Sequence, residues 1–142
     1  MNVVLTQTDT TVGFLSQDET KLQSVKSRDS SKPFIKVYEN FKALQEDGNR
    51  IPNSKKSYVR RSRKTTFIIK NIAFRVAKNK LNSSLLKSEW NYSTSANESG
   101  KRFDRKFCEE KADIIIEDKE SLHEGESSSL LKMNSKRVRK LR

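Results

Sequence analysis

A short run of residues from 93 to 100 has the composition of a loop that binds a polar ligand. The run is small and rich in hydroxyl groups, and it ends in a glycine: Ser93, Thr94, Ser95, Ala96, Asn97, Glu98, Ser99 and Gly100. Backbone N–H groups in such a loop can approach a ligand closely, because no bulky side chain intervenes. The same residues also fit a plain strand-to-helix turn in which Asn97 or Ser99 caps the helix.

Lys26 and Arg28 form a second group with chemical potential, since two cations two residues apart can flank a phosphate chain. The lysine supplies a point charge and the arginine a bidentate fork. Taken alone, the pair fits a solvated surface equally well. Its meaning therefore depends on the motifs around it.

Charge is unevenly distributed along the chain, which carries a formal net charge of +12. Every charged residue between 50 and 80 is Lys or Arg, whereas residues 109–126 are mostly acidic. A basic window of this kind points to a polyanion, or else to a solvated basic face. Because Tyr58 and Phe67 are too sparse to stack a single strand, we expect double-stranded or structured RNA. The candidate RNA-binding residues are Lys55, Lys56, Arg60, Arg61, Arg63 and Lys64.

Length and composition indicate one domain spanning residues 1–142, with 32% hydrophobic and 34% charged residues. No apolar stretch approaches the ~18 residues of a membrane span, and we expect no signal peptide and a cytoplasmic setting. One cysteine, Cys108, excludes an internal disulfide. With His123 as its sole possible companion, a Cys/His zinc site is excluded as well. We expect Cys108 to pack inside a helix.

Hydrophobic patterning predicts an α/β fold with a mixed twisted sheet. The predicted strands are residues 3–6, 34–38, 65–70, 72–76, 91–94, 114–117, 129–133 and 137–141, and the predicted helices are residues 18–26, 39–45, 81–86 and 103–111. Residues 65–76 are expected to form a hairpin, and Ile114, Ile115 and Ile116 a buried strand. Residues 51–57 and 118–126 are expected to be exposed loops.

Several segments, in one order along the chain, resemble motifs of the YrdC-like family. The run at 93–100 resembles its "STSANxSG" signature, Thr8-Asp9-Thr10 with Gly13 resembles "PTDTxYGL", and Lys26-Ser27-Arg28 with Lys32-Pro33 resembles "KxRxxxKPL". Later matches are Thr66 to Ile69 with Phe74 to Val76, Ala112 to Ile116, Ser127 to Leu131, and Arg139 to Arg142. The resemblance implies a YrdC-like fold, in which a mixed sheet and its helices surround a concave basic cavity.

The best-known members of this family are threonylcarbamoyl-AMP synthases of the tRNA N6-threonylcarbamoyladenosine pathway. The resemblance therefore implies a nucleotidyltransferase that joins L-threonine, bicarbonate and ATP and releases pyrophosphate. Mg²⁺ is expected to arrive on the triphosphate, with no metal held by the protein itself. A separate transferase would deliver the group to tRNA. The alternative is a family member without turnover that binds structured RNA.

Site residues carried over from the resemblance fall into two groups. Lys26 and Arg28 would be catalytic, by neutralising the phosphates, and would bind ATP together with Ser93, Ser95, Asn97 and Arg142. Threonine would be held by Thr10, Thr66, Arg75 and Ser128. Arg75, the sole arginine in an apolar strand, would clamp the carboxylate or carbamate, or else lie at a strand edge with its head in water.

The chain departs from the family motifs at three places. Gln7 stands where the family has proline, Val12 where it has an aromatic residue, and Ser62-Arg63-Lys64 where it has a "PGP" turn. We expect the first two changes to alter part of the threonine or adenine pocket.

Overall fold

A computed structural model describes residues 2–26, 34–76, 90–98, 100–117 and 119–142. The strands in these ranges are β1 (Val4–Gln7), β2 (Val12–Ser16), β3 (Ile35–Tyr38), β4 (Thr65–Ile69), β5 (Ile72–Val76), β6 (Trp90–Ser95), β7 (Ile114–Ile116), β8 (Ser129–Met133) and β9 (Val138–Lys140). The helices are α1 (Glu19–Lys26), α2 (Phe41–Glu46), α3 (Lys56–Arg61) and α4 (Arg105–Lys111), and a 3₁₀ turn (Asn53–Lys55) precedes α3.

The strands form one mixed sheet in the order β7-β1-β2-β6-β3-β5-β4-β8-β9. The β1·β7, β3·β5 and β4·β8 pairs are parallel, and the other neighbours are antiparallel. This arrangement confirms the predicted α/β class with a mixed sheet.

The predicted hairpin is present as β4 and β5, with Ile69 opposite Ile72. Its two turn residues, Lys70 and Asn71, have φ angles of 51° and 65°. Positive φ at both central positions is the requirement of a type I′ turn, whose twist matches that of the flanking strands. The tight connection is therefore compatible with a hairpin.

Two helix starts are set by side-chain caps. The Asn40 side chain accepts a 2.8 Å hydrogen bond from the Ala43 N–H at the start of α2, and the Asp104 carboxylate accepts one from the Phe107 N–H at the start of α4. Each cap satisfies an N–H that the helix itself leaves unpaired. Both helices consequently begin two residues later than predicted, and the helix predicted at 81–86 lies outside the described residues.

Three local predictions were wrong. Residues 12–16 form β2, which the pattern did not indicate, and the segment expected to be a loop at 51–57 contains the 3₁₀ turn and the start of α3. Ile114 and Ile115 are 38% and 43% exposed, so this run is not a buried strand. The reason is its place in the sheet: among the described strands β7 pairs with β1 alone and lies at an edge.

Two apolar clusters support the two halves of the sheet. Phe14, Leu22 and Cys108 belong to the cluster between β1, β2, α1 and α4, and the expected packing of Cys108 inside a helix is confirmed. Phe41, Val59 and other side chains of α2 and α3 pack against β3, β4, β5 and β8 in the second cluster. No helix in the described ranges is long and apolar enough to cross a membrane.

The Asn40 cap gives a test of this local structure. Replacing Asn40 with alanine removes the acceptor for the Ala43 N–H, and we expect a loss of about 1 kcal/mol in the free energy of unfolding by urea. Asn53→Ala, at an exposed position before α3, is the control and should change stability by less than about 0.5 kcal/mol. Equal losses in the two variants would contradict the capping role.

Candidate active site

A cavity of about 200 Å³ lies between the β1–β2 turn, β6 and the residues that precede β8. It is lined by Thr8, Thr10, Thr11, Gly13, Ile35, Arg75, Ser93, Thr94, Ser95, Ser127, Ser128 and Arg142. Most of these described lining residues carry a hydroxyl group, and none is acidic. The cavity is smaller than the roughly 300–1,000 Å³ typical of pockets for drug-sized ligands. Its size and lining suit a small polar anion or zwitterion.

Arg75 projects from β5 into this cavity and is 5% exposed. Its Nε lies 3.1 Å from Asp9 Oδ1 in the β1–β2 turn, and both side chains are almost completely buried. The contact is an ion pair without hydrogen-bond alignment, because neither Asp9 oxygen nor Arg75 Nε has a hydrogen-bond partner in the described structure. Burial lowers the pKa of Arg75, the Asp9 charge opposes that change, and the positive charge of Arg142 adds to it.

Arg142 also lines the cavity, and Ser128, just before β8, holds its side chain. Its Nε donates to the Ser128 carbonyl at 3.0 Å, and its Nη2 lies 3.4 Å from Ser128 Oγ. The Ser128 hydroxyl is buried and lies 2.7 Å from Thr66 Oγ1 in β4. Two guanidinium groups thus border a cavity close to one carboxylate, Asp9, which leaves an excess of positive charge for an anionic ligand.

We call residues 93–98 the serine loop. Lys26, at the end of α1, is 4% exposed and binds this loop. Its Nζ donates to the carbonyls of Ser95 and Asn97 at 2.9 and 2.8 Å, and to Asn97 Oδ1 at 2.5 Å. The Ser95 hydroxyl donates to the same amide oxygen at 2.7 Å, and Asn97 Nδ2 donates to the Lys101 carbonyl. The ammonium group therefore fixes the conformation of the loop.

The structure brings most of the predicted threonine and nucleotide residues together. Thr10, Arg75, Ser93, Ser95, Ser128 and Arg142 line the cavity. Thr66 lies behind its wall and contacts Ser128, whereas Lys26 and Asn97 form the base of the serine loop. Arg28 lies outside the described residues.

The predicted RNA-binding residues lie elsewhere. Lys55 ends the 3₁₀ turn, Lys56, Arg60 and Arg61 belong to α3, and Arg63 and Lys64 connect α3 to β4. None of them lines the cavity.

Several cavity residues were not assigned a role from the sequence: Thr8, Thr11, Gly13, Ile35, Thr94 and Ser127. Thr8, Gly13, Thr94 and Ser127 lie inside the quoted motifs, so the motifs themselves were the available signal. Of the residues that depart from the family motifs, neither Gln7 nor Val12 lines this cavity. Val12 is buried in the core beside β1, and the Gln7 side chain accepts a 2.9 Å hydrogen bond from the His123 N–H.

Comparison with known proteins agrees with this architecture. Residues 2–142 match the family described as Sua5/YciO/YrdC, telomere recombination. The chain belongs to the Sua5/YciO/YrdC family. No curated protein sequence matches it significantly.

Solved structures show the same fold at low sequence identity. Sua5 from P. abyssi complexed with L-threonine superposes with a TM-score of 0.78 at 19% identity, over 99% of this chain and 50% of that one. E. coli YciO gives 0.75 at 15% identity, over 99% of this chain and 82% of that one. Full-length HypF in a phosphate- and nucleotide-bound form gives a TM-score of 0.75 at 16% identity, over 99% of this chain and 26% of that one. The chain thus spans about half the length of the Sua5 structure.

The Asp9–Arg75 pair generates a stability prediction. Asp9→Asn leaves the buried guanidinium without a countercharge, and we expect a loss of about 3–5 kcal/mol in the free energy of unfolding. The double variant Asp9→Leu with Arg75→Met buries no charge and should be more stable than Asp9→Asn alone. Urea denaturation measures both. A double variant at least as unstable as Asp9→Asn would show that the pairing does not govern the stability of this region.

Proposed function

We propose that this chain is a threonylcarbamoyl-AMP synthase, which forms threonylcarbamoyl-AMP and pyrophosphate from L-threonine, bicarbonate and ATP. The observation that carries the proposal is the hydroxyl-lined cavity with two guanidinium groups at its border and no acidic lining residue in the described chain. Membership of the Sua5/YciO/YrdC family supports it. Further support comes from the L-threonine complex of P. abyssi Sua5, a protein with the same fold.

The cavity suits the amino-acid end of the reaction. Arg75 offers a planar guanidinium to the threonine carboxylate or to the carbamate formed on its amine. Burial strengthens that interaction, because little water competes for the donor groups. The hydroxyl groups of Thr10 and Ser128 can form hydrogen bonds with the hydroxyl and carboxylate of the substrate. The small cavity volume leaves the nucleotide to the adjoining surface.

The serine loop suits the phosphates. Ser93 and Ser95 line the cavity, and the loop continues to Asn97, whose backbone and side chain bind Lys26. We place the ATP triphosphate, with its Mg²⁺, along this loop and beside Lys26 and Arg28. Full-length HypF, which has this fold over 26% of its chain, was solved in a phosphate- and nucleotide-bound form.

The chemistry requires positioning more than proton transfer. A carbamate oxygen attacks the α-phosphorus of ATP, the bond from that phosphorus to the bridging oxygen breaks, and pyrophosphate leaves with its charge neutralised by cations. Arg75 would orient the nucleophile, and the cations at the serine loop would stabilise the leaving group. A separate transferase would then pass the threonylcarbamoyl group to tRNA.

Pyrophosphate release tests the proposal directly. With Mg²⁺ and ATP, the purified protein should form pyrophosphate when L-threonine and bicarbonate are both present, and not when either is omitted. A coupled pyrophosphate assay measures the rate. Folded protein that shows no dependence on threonine would contradict the proposed activity.

A conservative variant tests the role of Arg75 in the same assay. Arg75→Lys keeps the charge but loses the planar fork, so KM for threonine should rise about 10- to 100-fold. Arg63→Lys, on the exposed connection after α3, is the matched control and should leave KM unchanged. If both variants kept the normal KM, Arg75 would not be the carboxylate clamp.

Binding of structured RNA is a second candidate function, favoured by one feature of the fold. The Ser54 hydroxyl donates to the Ser135 carbonyl at 3.1 Å, which joins the 3₁₀ turn to the β8–β9 connection. The 3₁₀ turn and the β8–β9 connection, which are far apart in the sequence and both flanked by basic residues, are therefore adjacent. We propose that the basic residues around this contact form one RNA-binding surface, which we call the cationic surface: Lys55, Lys56, Arg60, Arg61, Lys136 and Arg137.

Charge reversal tests this surface. Arg60→Glu with Arg61→Glu should weaken binding to duplex RNA almost independently of sequence and flatten the dependence of log K on log salt by about one to two units. Threonine affinity should barely change, because neither residue lines the cavity. Lys106→Glu with Lys119→Glu, at exposed positions outside the cationic surface, is the control. Equal effects of the two pairs would remove this surface as the RNA site.

A further inference from the structure

Residues 121–128 cross from the β1–β2 turn to the start of β8, and we call this segment the strap. Leu122 is buried in the core cluster beside β1, and the Val12 N–H donates to the His123 carbonyl at 3.2 Å. The Gly125 N–H donates to Thr11 Oγ1 at 2.9 Å. The strap is exposed over much of its length, but these contacts attach it to the turn that carries Thr8 and Thr10.

Gly125 is the point of closest approach between the strap and the turn. A Cβ atom at this position would lie 2.2 Å from the Thr10 carbonyl oxygen and 3.3 Å from its carbon. Backbone atoms of a hydrogen-bonded turn cannot move aside as the end of a flexible side chain can. Any side chain at position 125 must therefore lift the strap away from the turn.

Gln7 provides a second attachment of the strap, through the backbone N–H of His123. Its side chain is almost completely buried at the end of β1, and its Oε1 accepts the hydrogen bond of the His123 N–H at 2.9 Å. Proline at this position, as in the family motif, would offer no such acceptor. The departure from the motif thus serves the strap and leaves the cavity lining unchanged.

The chain between the two contacts of the strap is short. The Gly125 N–H donates to Thr11 Oγ1, and Ser128, three residues later, contacts Thr66 in β4. Three extended residues reach at most about 11 Å. A displacement of the strap at Gly125 is therefore transmitted to Ser128 in the cavity wall.

We propose that Gly125 and Gln7 are positioning residues that set the width of the cavity through the strap. The strap carries Ser127 and Ser128 in the cavity wall, and Ser128 in turn holds Arg142. With the strap attached, these groups face the Thr8–Thr10 wall at a fixed separation. With the strap lifted, the wall of Ser128 and Arg142 moves away from the substrate. The part of this inference that concerns threonine rests on the proposed function.

Two variants test the inference, with hydrogen–deuterium exchange and calorimetric titration of L-threonine as measurements. Gly125→Ala should raise amide exchange in residues 8–12 and 121–128 and weaken threonine binding about tenfold or more, since misplacement of about 1 Å is costly in such sites. Gln7→Met removes the acceptor at similar volume and should change both measurements in the same direction. Gln7→Glu keeps the acceptor oxygen, so amide exchange and threonine affinity should both stay close to those of the unmodified protein.

Gly48→Ala is the matched control for general destabilisation. Gly48 has a φ of +84°, and a Cβ atom added there would have no atom within 4 Å, so alanine strains the backbone without touching the strap. It should lower stability while exchange in the strap and threonine affinity stay normal. If Gly125→Ala and Gly48→Ala gave the same exchange pattern, the positioning role would be wrong.

The remaining outcomes are also decisive. If Gly125→Ala fails to fold, Gln7→Met and its glutamate counterpart decide by the same two measurements. If the unmodified protein binds no threonine, the proposed function fails, and the exchange data alone support or overturn the attachment of the strap. Threonine binding at normal affinity in a folded Gly125→Ala protein would overturn the inference while leaving the proposed function intact.

Discussion

The contact between Asp9 and Arg75 is the constraint on which the shape of this protein depends. Asp9 lies in the β1–β2 turn and Arg75 in β5, and three strand spacings separate β2 from β5, about 14 Å in a flat sheet. A buried charge needs its partner close by, because transfer of an unpaired guanidinium from water is costly. The contact at 3.1 Å therefore joins the β1–β2 turn to β5 across the intervening strands. The cavity lies where these segments meet, and its lining is rich in hydroxyl groups.

This constraint also explains the electrostatic character of the site. Asp9 is the ion-pair partner of Arg75, whereas the nearby positive charge of Arg142 lowers the pKa of Arg75. Arg75 Nε has no aligned hydrogen-bond acceptor in the described residues. An anion between the guanidinium groups would supply negative charge and acceptor atoms for their N–H donors. The arrangement is less stable than a fully paired core and better suited to binding.

The sequence was sufficient to predict elements that local residues determine. It was insufficient to predict features that depend on contacts between distant segments. The β4–β5 hairpin and the helix that contains Cys108 follow from apolar patterning, and the family motifs identified most of the cavity wall. Helix α3 was missed because its sequence is cationic and only Val59 is buried. The exposure of Ile115 depends on which strand lies beside β7, which a run of isoleucines does not specify. The fit of Gly125 against Thr10 joins residues far apart in the chain, so no local pattern indicates it.

Lys26 shows how the two ends of the site are connected. An ammonium group has three protons, and the carbonyls of Ser95 and Asn97 and the Asn97 amide oxygen provide three acceptors for them. In the proposed enzyme, a phosphate oxygen that binds this lysine would compete with these acceptors. Asn97 Oδ1 is the acceptor that can be released most easily, since a side chain rotates while the two carbonyls are fixed by the loop backbone. Nucleotide binding at Lys26 would then free Asn97 and Ser95, which share that oxygen, to contact the same phosphates. In the proposed enzyme, the lysine would thereby couple arrival of the triphosphate to the conformation of the loop that also lines the cavity.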